Sequence, residues 1–281
     1  MPHYNESLLP QAQRDRLSVV FVSPRNPLNV GAAARAMANF GFVHMAVVAP
    51  YGPHWREARS AVGAPELLQN ARETASLAEA VSDCTLVAGT GTLTSRKPEQ
   101  RVVSLPALAP LVQNELERGG RVALVFGPEK RGLTREDLSY CHLLVEIPTD
   151  PHQPSMNLGQ AVAVCLYELA CRGIPAQSGL PEAALPAALA IAATAESDLS
   201  GPPATSDTLN LLGGLIEQTM AAAGYAPRTM QAANRHSLRL LLRRLRMNPE
   251  DTRRALGLFR RILWRLDHTP HAGRDPGPKP Q

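Results

Sequence analysis

Between residues 17 and 171, short apolar runs alternate with segments of helical period, and that alternation leaves few architectures open. Five runs read as strands, at 17–23, 44–49, 84–89, 121–126 and 143–147, with helical patterns at 30–40, 77–82, 108–118 and 157–172. Strands that are apolar along their whole length need cover on both faces, and alternating helices supply it. The pattern therefore predicts an α/β fold with a mostly parallel sheet. Ligands of such sheets collect outside the carboxyl ends of the strands, so the loops that follow strands are where chemistry is to be sought.

The rest of the 281-residue chain divides around this block. Residues 1–16 form an N-terminal extension, 17–173 the α/β domain, and 174–207 an Ala/Pro-rich linker. Three further helical patterns, at 208–223, 231–246 and 250–266, define a basic helical domain over 208–267, with Asn248-Pro249 as cap and first position of the last helix. Residues 268–281, HTPHAGRDPGPKPQ, read as a disordered tail. No apolar run approaches the ~20 residues of a membrane span. The start, MPHYNESLLPQAQRDR, lacks the marks of a secretory leader, so a cytoplasmic location is expected. Cys84, Cys141, Cys165 and Cys171 have no C-x-x-C spacing, and the histidines form no ligand cluster. Free buried thiols and no metal are expected.

Charge is segregated. Residues 1–207 hold 16 basic and 20 acidic side chains, whereas 208–267 hold eleven arginines and four acids, a net of +7. A basic module of this kind fits a polyanion, or else presents a solvated helix face.

Three junctions carry polar residues at strand ends. The first, VVFVSPRNPLNVGAAARAMANFGF, has neither the glycine pattern of a dinucleotide fold nor the lysine of a P-loop. It offers Asn29 as a helix cap, Gly31 for close approach of a backbone or a ligand, and Arg35 among small residues. The second, RVALVFGPEKRGLTREDL, holds Glu129, Lys130 and Arg131 between Gly127 and Gly132, then a capping-box pattern at Thr134 and Asp137. The third, VEIPTDPHQPSMNLGQAVAVCLYELA, is stiffened by Pro148, Pro151 and Pro154, which present fixed carbonyl acceptors, and sets Ser155 and Asn157 at a helix start.

In order and separation, NVGAAAR, FGPEKRGL and IPTDPHQPSMNLGQAVAVCLYEL resemble the three motifs of the SPOUT superfamily of RNA 2′-O-ribose methyltransferases. The C-terminal helices, LLGGLIEQTMAAAGY and LRLLLRRLRMNPEDTRRALGLFRRIL, are similar to the extension of its TrmJ-like tRNA methyltransferase branch. The resemblance implies a trefoil knot in the C-terminal part of the sheet and S-adenosylmethionine bound there. It also implies a homodimer with shared active sites and a tRNA substrate methylated at cytidine or uridine 32 of the anticodon loop. Carried over by motif, Asn29, Arg35, Glu129, Ser155 and Asn157 are the catalytic and RNA-handling positions. Thr90, Gly91, Thr92, Gly127, Ile147, Pro154, Ser155 and Met156 hold the cofactor, although GTGTLTSR departs from the branch's usual GTSAR-like turn.

Methyl transfer from a sulfonium to a hydroxyl needs alignment and a fixed charge beside the oxygen. Arg35 is expected to face the target ribose as that charge rather than as a base, since a guanidinium holds its proton tightly. Gly31 would give the RNA room, and Asn29 would hold Arg35 or a phosphate. Arg239, Arg243, Arg244, Arg246, Arg253, Arg254, Arg260 and Arg261 are the expected phosphate contacts. Ribosomal RNA methylation, a non-catalytic RNA-binding protein and a helix-turn-helix DNA reader stay open as alternatives.

Overall fold

The computed structural model describes residues 9–91, 98–171, 201–225 and 230–268. Residues 1–8, 92–97, 172–200, 226–229 and 269–281 lie outside the described residues, and with them Thr92, most of the expected linker and nearly all of the expected tail.

Seven strands form one sheet: β1 (Leu17–Val22), β2 (His44–Val48), β3 (Arg72–Thr74), β4 (Leu86–Thr90), β5 (Arg101–Ser104), β6 (Val122–Phe126) and β7 (Leu143–Glu146). Their order is β3-β2-β1-β6-β4-β7-β5, and every neighbouring pair is parallel. All five expected strands are present. The two edge strands were missed because their burial is slight and their residues charged, as in Arg72, Glu73 and Arg101. Their hydrogen bonds to β2 and β7 define them where side-chain pattern does not.

The period of two along each strand separates the two faces. Val19, Phe21, Leu124 and Phe126 join a core covered by α2 (Pro27–Asn39), α5 (Leu105–Glu117) and α7 (Leu158–Cys171). Val20, Val22, Ala123 and Val125 face the other way, under the short α4 (Leu77–Ala80) and α6 (Arg135–Leu138). On the first face α2 and α7 meet closely: a Cβ on Gly159 would stand 2.8 Å from that of Ala32. Residues 9–16 of the expected extension join this fold, since Leu9 is buried and α1 (Gln11–Arg14) leads into β1.

The C-terminal part forms α8 (Ser206–Ala222), α9 (Gln231–Leu245) and α10 (Pro249–His268) around a small core of Leu212, Leu242 and Leu256. Asn248 Oδ1 accepts from the Asp251 N–H at 2.7 Å, as the Asn-Pro pair predicts. Helix α8 begins inside the stretch expected to be linker, capped by Thr205, and α10 includes His268 from the expected tail. Ser206 N–H donates to the Cys84 carbonyl (2.9 Å) and Asp207 N–H to that of Ser82 (2.9 Å), so the start of α8 is tied to the thinly covered face.

Three of the arginines expected on phosphate dock this unit instead. Arg243 is 2% exposed. Its guanidinium donates to the carbonyl of Tyr140 (3.0 Å) and to Asn210 Oδ1 (3.0 Å) and lies against the Tyr140 ring. Arg239 pairs with Glu136 and stacks 4.4 Å from the same ring. Arg246, in a left-handed C-cap, reaches the buried Glu115 at 2.7 Å. Arg244, Arg253, Arg254, Arg260 and Arg261 are exposed, the last four along α10. The sequence pattern treats all eight alike; only packing sorts them.

Three of the cysteines are buried and Cys171 is partly so, all as free thiols. Burial raises the thiols of Cys141 and Cys165 to about 12, so they stay protonated. Among the described residues no helix is long and apolar enough to cross a membrane, and no group of three His, Cys, Asp or Glu could hold a metal ion.

Candidate active site

The three junctions converge at the carboxyl edge of the sheet, joined by one hydrogen-bonded chain of side chains. Asn29 Nδ2 donates to Glu129 Oε1 at 3.0 Å. Asn157 Nδ2 donates to Asn29 Oδ1 at 2.9 Å, and Asn157 Oδ1 accepts from the Gly159 N–H at 2.9 Å. The carboxylate at one end only accepts and the amide N–H at the other only donates, so both asparagine side chains can point only this way. Glu129 also accepts from the N–H groups of Arg25 and Asn26, each at 3.1 Å. Burial pushes its carboxyl upward, but the bonds from Asn29 and from the backbone outweigh that and hold it below the ordinary carboxylate value. Glu129 is thus an ionised anchor with its acceptors occupied, not an acid.

Two first-junction expectations change. The helix cap is Asn26, whose side chain accepts from the Leu28 N–H, because Pro27 fixes the first helical position. Asn29 is thereby one turn inside α2 and free to bridge the other two loops. Gly31 serves the fold rather than the RNA: a Cβ there would lie 2.2 Å from Ser60 Oγ and 2.9 Å from the Ala61 nitrogen, so the 58–61 loop fills the space.

Beside the network a pocket of about 330 Å³ opens, a volume suited to a small-molecule ligand. Its walls include Thr90, Gly91, Gly127, Glu129, Ile147, Pro154, Ser155 and Met156. Thr90 is fixed by a bond from Oγ1 to the Val125 carbonyl, and Gly91 N–H by one to that of Val145. Leu133, Leu138, Leu158 and Ala161 supply apolar wall that motif reading missed; the regular spacing of Leu158 and Ala161 on α7 is the signal that could have found them. Thr149 Oγ1 donates to the Pro154 carbonyl at 3.3 Å, closing the proline-stiffened loop. Ser155 lines the pocket, is exposed, and makes no hydrogen bond among the described residues.

Gly127 shapes this pocket. A Cβ there would stand 2.3 Å from the Leu133 nitrogen and 2.4 Å from the Gly132 carbonyl carbon, so residues 127–133 curl onto it. Gly132 closes the curl with φ 63° and an N–H bond to the Pro128 carbonyl. The lining combines leucine, isoleucine and methionine side chains with the hydroxyls of Thr149 and Ser155, a mixture compatible with a ligand that carries both an apolar ring and polar groups. Gly127→Ala is expected to force the curl open and weaken binding of the expected cofactor, S-adenosylmethionine, about tenfold or more without unfolding the protein, given the cost of overpacking. Titration calorimetry checks this, and an unchanged affinity contradicts it.

Arg35 is not a wall of this pocket in the single chain. It lies six residues beyond Asn29, about 9 Å along the helix, and is exposed, its side chain making no hydrogen bond or ion pair among the described residues. Leu28, 56% exposed, shares its side of α2, and Val164 and Tyr167 (56%) are exposed on α7. The network thus unites Asn29, Glu129 and Asn157, the pocket adds Ser155, and Arg35 stands on the outer surface nearby.

A parallel α/β sheet with a curled pocket and a polar network at its carboxyl edge defines a ligand-binding α/β fold, and comparison gives the family. The model of the SpoU rRNA Methylase family matches residues 16–167. A tRNA (cytidine/uridine/adenosine-2′-O-)-methyltransferase, TrmJ, of Pseudomonas aeruginosa is 36% identical over 217 residues, 75% of this chain and 79% of the relative. The tRNA (cytidine/uridine-2′-O-)-methyltransferase TrmJ of Pectobacterium atrosepticum is 30% identical over 261 residues, covering 91% and 98%. The crystal structure of TrmJ from Z. mobilis ZM4 superposes with a TM-score of 0.71 at 27% identity, covering 87% of this chain and 98% of that one. The chain belongs to the SpoU methylase family, in its TrmJ-like branch.

Proposed function

We propose that this protein methylates the ribose 2′-hydroxyl of tRNA at cytidine or uridine 32, using S-adenosylmethionine and acting in the cytoplasm as a homodimer whose subunits share active sites. The observation that carries the reading is the bonded chain Glu129–Asn29–Asn157, which draws the three motif loops together beside a cofactor-sized pocket. The trefoil knot belongs to the same reading. It is supported by the placement of β7, the last strand, between the earlier β4 and β5.

When bound, S-adenosylmethionine supplies a methyl group already activated on sulfur. Gly127, Ile147, Pro154 and Met156 would hold it against the curled loop, with Thr90 and Gly91 closing one side. The protein's own contribution is alignment, which can be worth roughly 7–11 kcal/mol, together with charge stabilisation. Arg35 faces negative charge growing on the 2′-oxygen. Both polar ends of Asn157 are engaged, whereas the Ser155 hydroxyl is open to take up the departing proton and pass it to solvent.

The exposed apolar stretch around Leu28, Val164 and Tyr167 supports a dimer in which Arg35 crosses to the neighbouring subunit's pocket. The exposed arginines of α10 support backbone contacts to tRNA. Incubation with bulk tRNA, ribosomal RNA and labelled methyl donor, followed by position mapping, tests the proposal. Label at the 2′-oxygen of tRNA nucleotide 32 is expected; label confined to ribosomal RNA would overturn it.

A further inference from the structure

Two of the three non-glycine residues with positive φ among the described residues stand side by side at the carboxyl edge of the sheet. Ser23 (φ 44°) and Ala49 (φ 43°) directly follow the paired strands β1 and β2. The left-handed conformation is unfavourable for a residue with a Cβ, and residues held in it gather at ligand sites. Each is held here by a bond that prolongs the sheet: Ser23 N–H donates to the Val48 carbonyl (2.8 Å) and Ala49 N–H to that of Thr74 (3.0 Å).

The two loops so turned are joined to each other and to the catalytic network. Tyr51 N–H donates to the Pro24 carbonyl at 3.4 Å. The Arg25 guanidinium lies 5.5 Å from the centre of the Tyr51 ring, within cation–π range. Arg25 N–H is itself one of the donors to Glu129. Yet Tyr51 is 78% exposed, and Arg25 is exposed with no acidic partner for its guanidinium among the described residues. Little of this pair's surface contributes to the core, although its main chain is firmly positioned.

Unpaired bases of RNA loops are recognised by stacking on aromatic faces and guanidinium planes, and their phosphates by cations. We propose that Tyr51 and Arg25 form a stacking platform for one unpaired nucleobase of the tRNA, next to the target ribose, with Arg25 also meeting a flanking phosphate. The platform positions substrate and takes no part in the chemistry. This inference rests on the tRNA reading above.

The test uses the full-length protein, full tRNA and anticodon stem-loops. Tyr51→Ala is expected to weaken tRNA binding and raise its KM about tenfold, with S-adenosylmethionine affinity and Tm unchanged, while Tyr51→Phe, which keeps the ring, restores binding. Arg25→Ala should lower the salt dependence of binding by about one counterion. In a set of stem-loops each carrying one abasic nucleotide, one position should weaken binding to the wild type yet make no difference to Tyr51→Ala. Equal binding of every stem-loop by wild type and Tyr51→Ala overturns the platform while leaving the methylation reading intact. A wild-type protein that transfers no methyl to tRNA overturns both.

Discussion

Arg35→Ala should lower methyl transfer about 100- to 1,000-fold at saturating substrates, the usual loss when a group that stabilises developing oxyanion charge is removed. The side chain is exposed and bonded to nothing among the described residues, so its loss should change stability by no more than about 0.5 kcal/mol. S-adenosylmethionine affinity should also hold, because Arg35 is not a wall of the pocket. The signature is therefore a fall in kcat with intact folding and cofactor binding. Arg35→Lys keeps the charge but not the planar fork, and should recover part of the rate. If the sites are shared between subunits, as proposed, a sharper consequence follows. Dimers mixed from Arg35→Ala and Ser155→Ala subunits regain one competent site if the guanidinium crosses between subunits. Turnover within threefold of wild type in Arg35→Ala itself would remove this residue from the reaction.

The second large effect concerns Arg243. Arg243→Ala is expected to destabilise the protein by about 2–5 kcal/mol, since it strips the Tyr140 carbonyl and Asn210 Oδ1 of their buried donor, at about 1–3 kcal/mol for each acceptor left unsatisfied, and also removes packing against a ring. Burial lowers the guanidinium to about 10, with Arg239 adding to the effect, so the group is still charged at neutral pH. Its role is to seat the helical unit on the segment that follows the curled 127–133 loop. Urea unfolding should become less cooperative, and limited proteolysis should release the helical unit. Arg253→Ala and Arg260→Ala, exposed on α10 and without an ion pair among the described residues, should instead weaken tRNA binding and its salt dependence with stability unchanged. An Arg243→Ala protein of wild-type stability that binds tRNA with a shallower salt slope would return this residue to the phosphate contacts.

The contrast between these arginines shows where reading from sequence stops. Arg239, Arg243, Arg246 and Arg260 are chemically identical in a basic helical stretch, and helical period alone does not reveal that Tyr140, Glu136 and Glu115 lie opposite three of them. Asn29 shows the same limit on a smaller scale. Residue type and place mark a cap, but Pro27 moves the cap to Asn26 and leaves Asn29 for a bond with a residue a hundred positions away. Gly31 and Gly127 look alike in their motifs. Only the neighbours show that one is packed against a loop and the other sits inside the pocket's curl. The edge strands β3 and β5 were hidden for a related reason, being defined by backbone pairing rather than by side chains.

What the sequence settles by itself is local and periodic: the central strands, the helices between them, the capping box at Thr134, the Asn-Pro start of α10 and the three motifs in their order. Apolar period and turn chemistry act over a few residues, so they are written in adjacent letters. Tertiary structure decides the rest, namely which arginines are walled in, which loop fills the space beside each glycine, and that Asn29, Glu129 and Asn157 share one chain of bonds. Those outcomes depend on burial and on geometry between distant segments, and these exist only once the sheet has brought its carboxyl ends together.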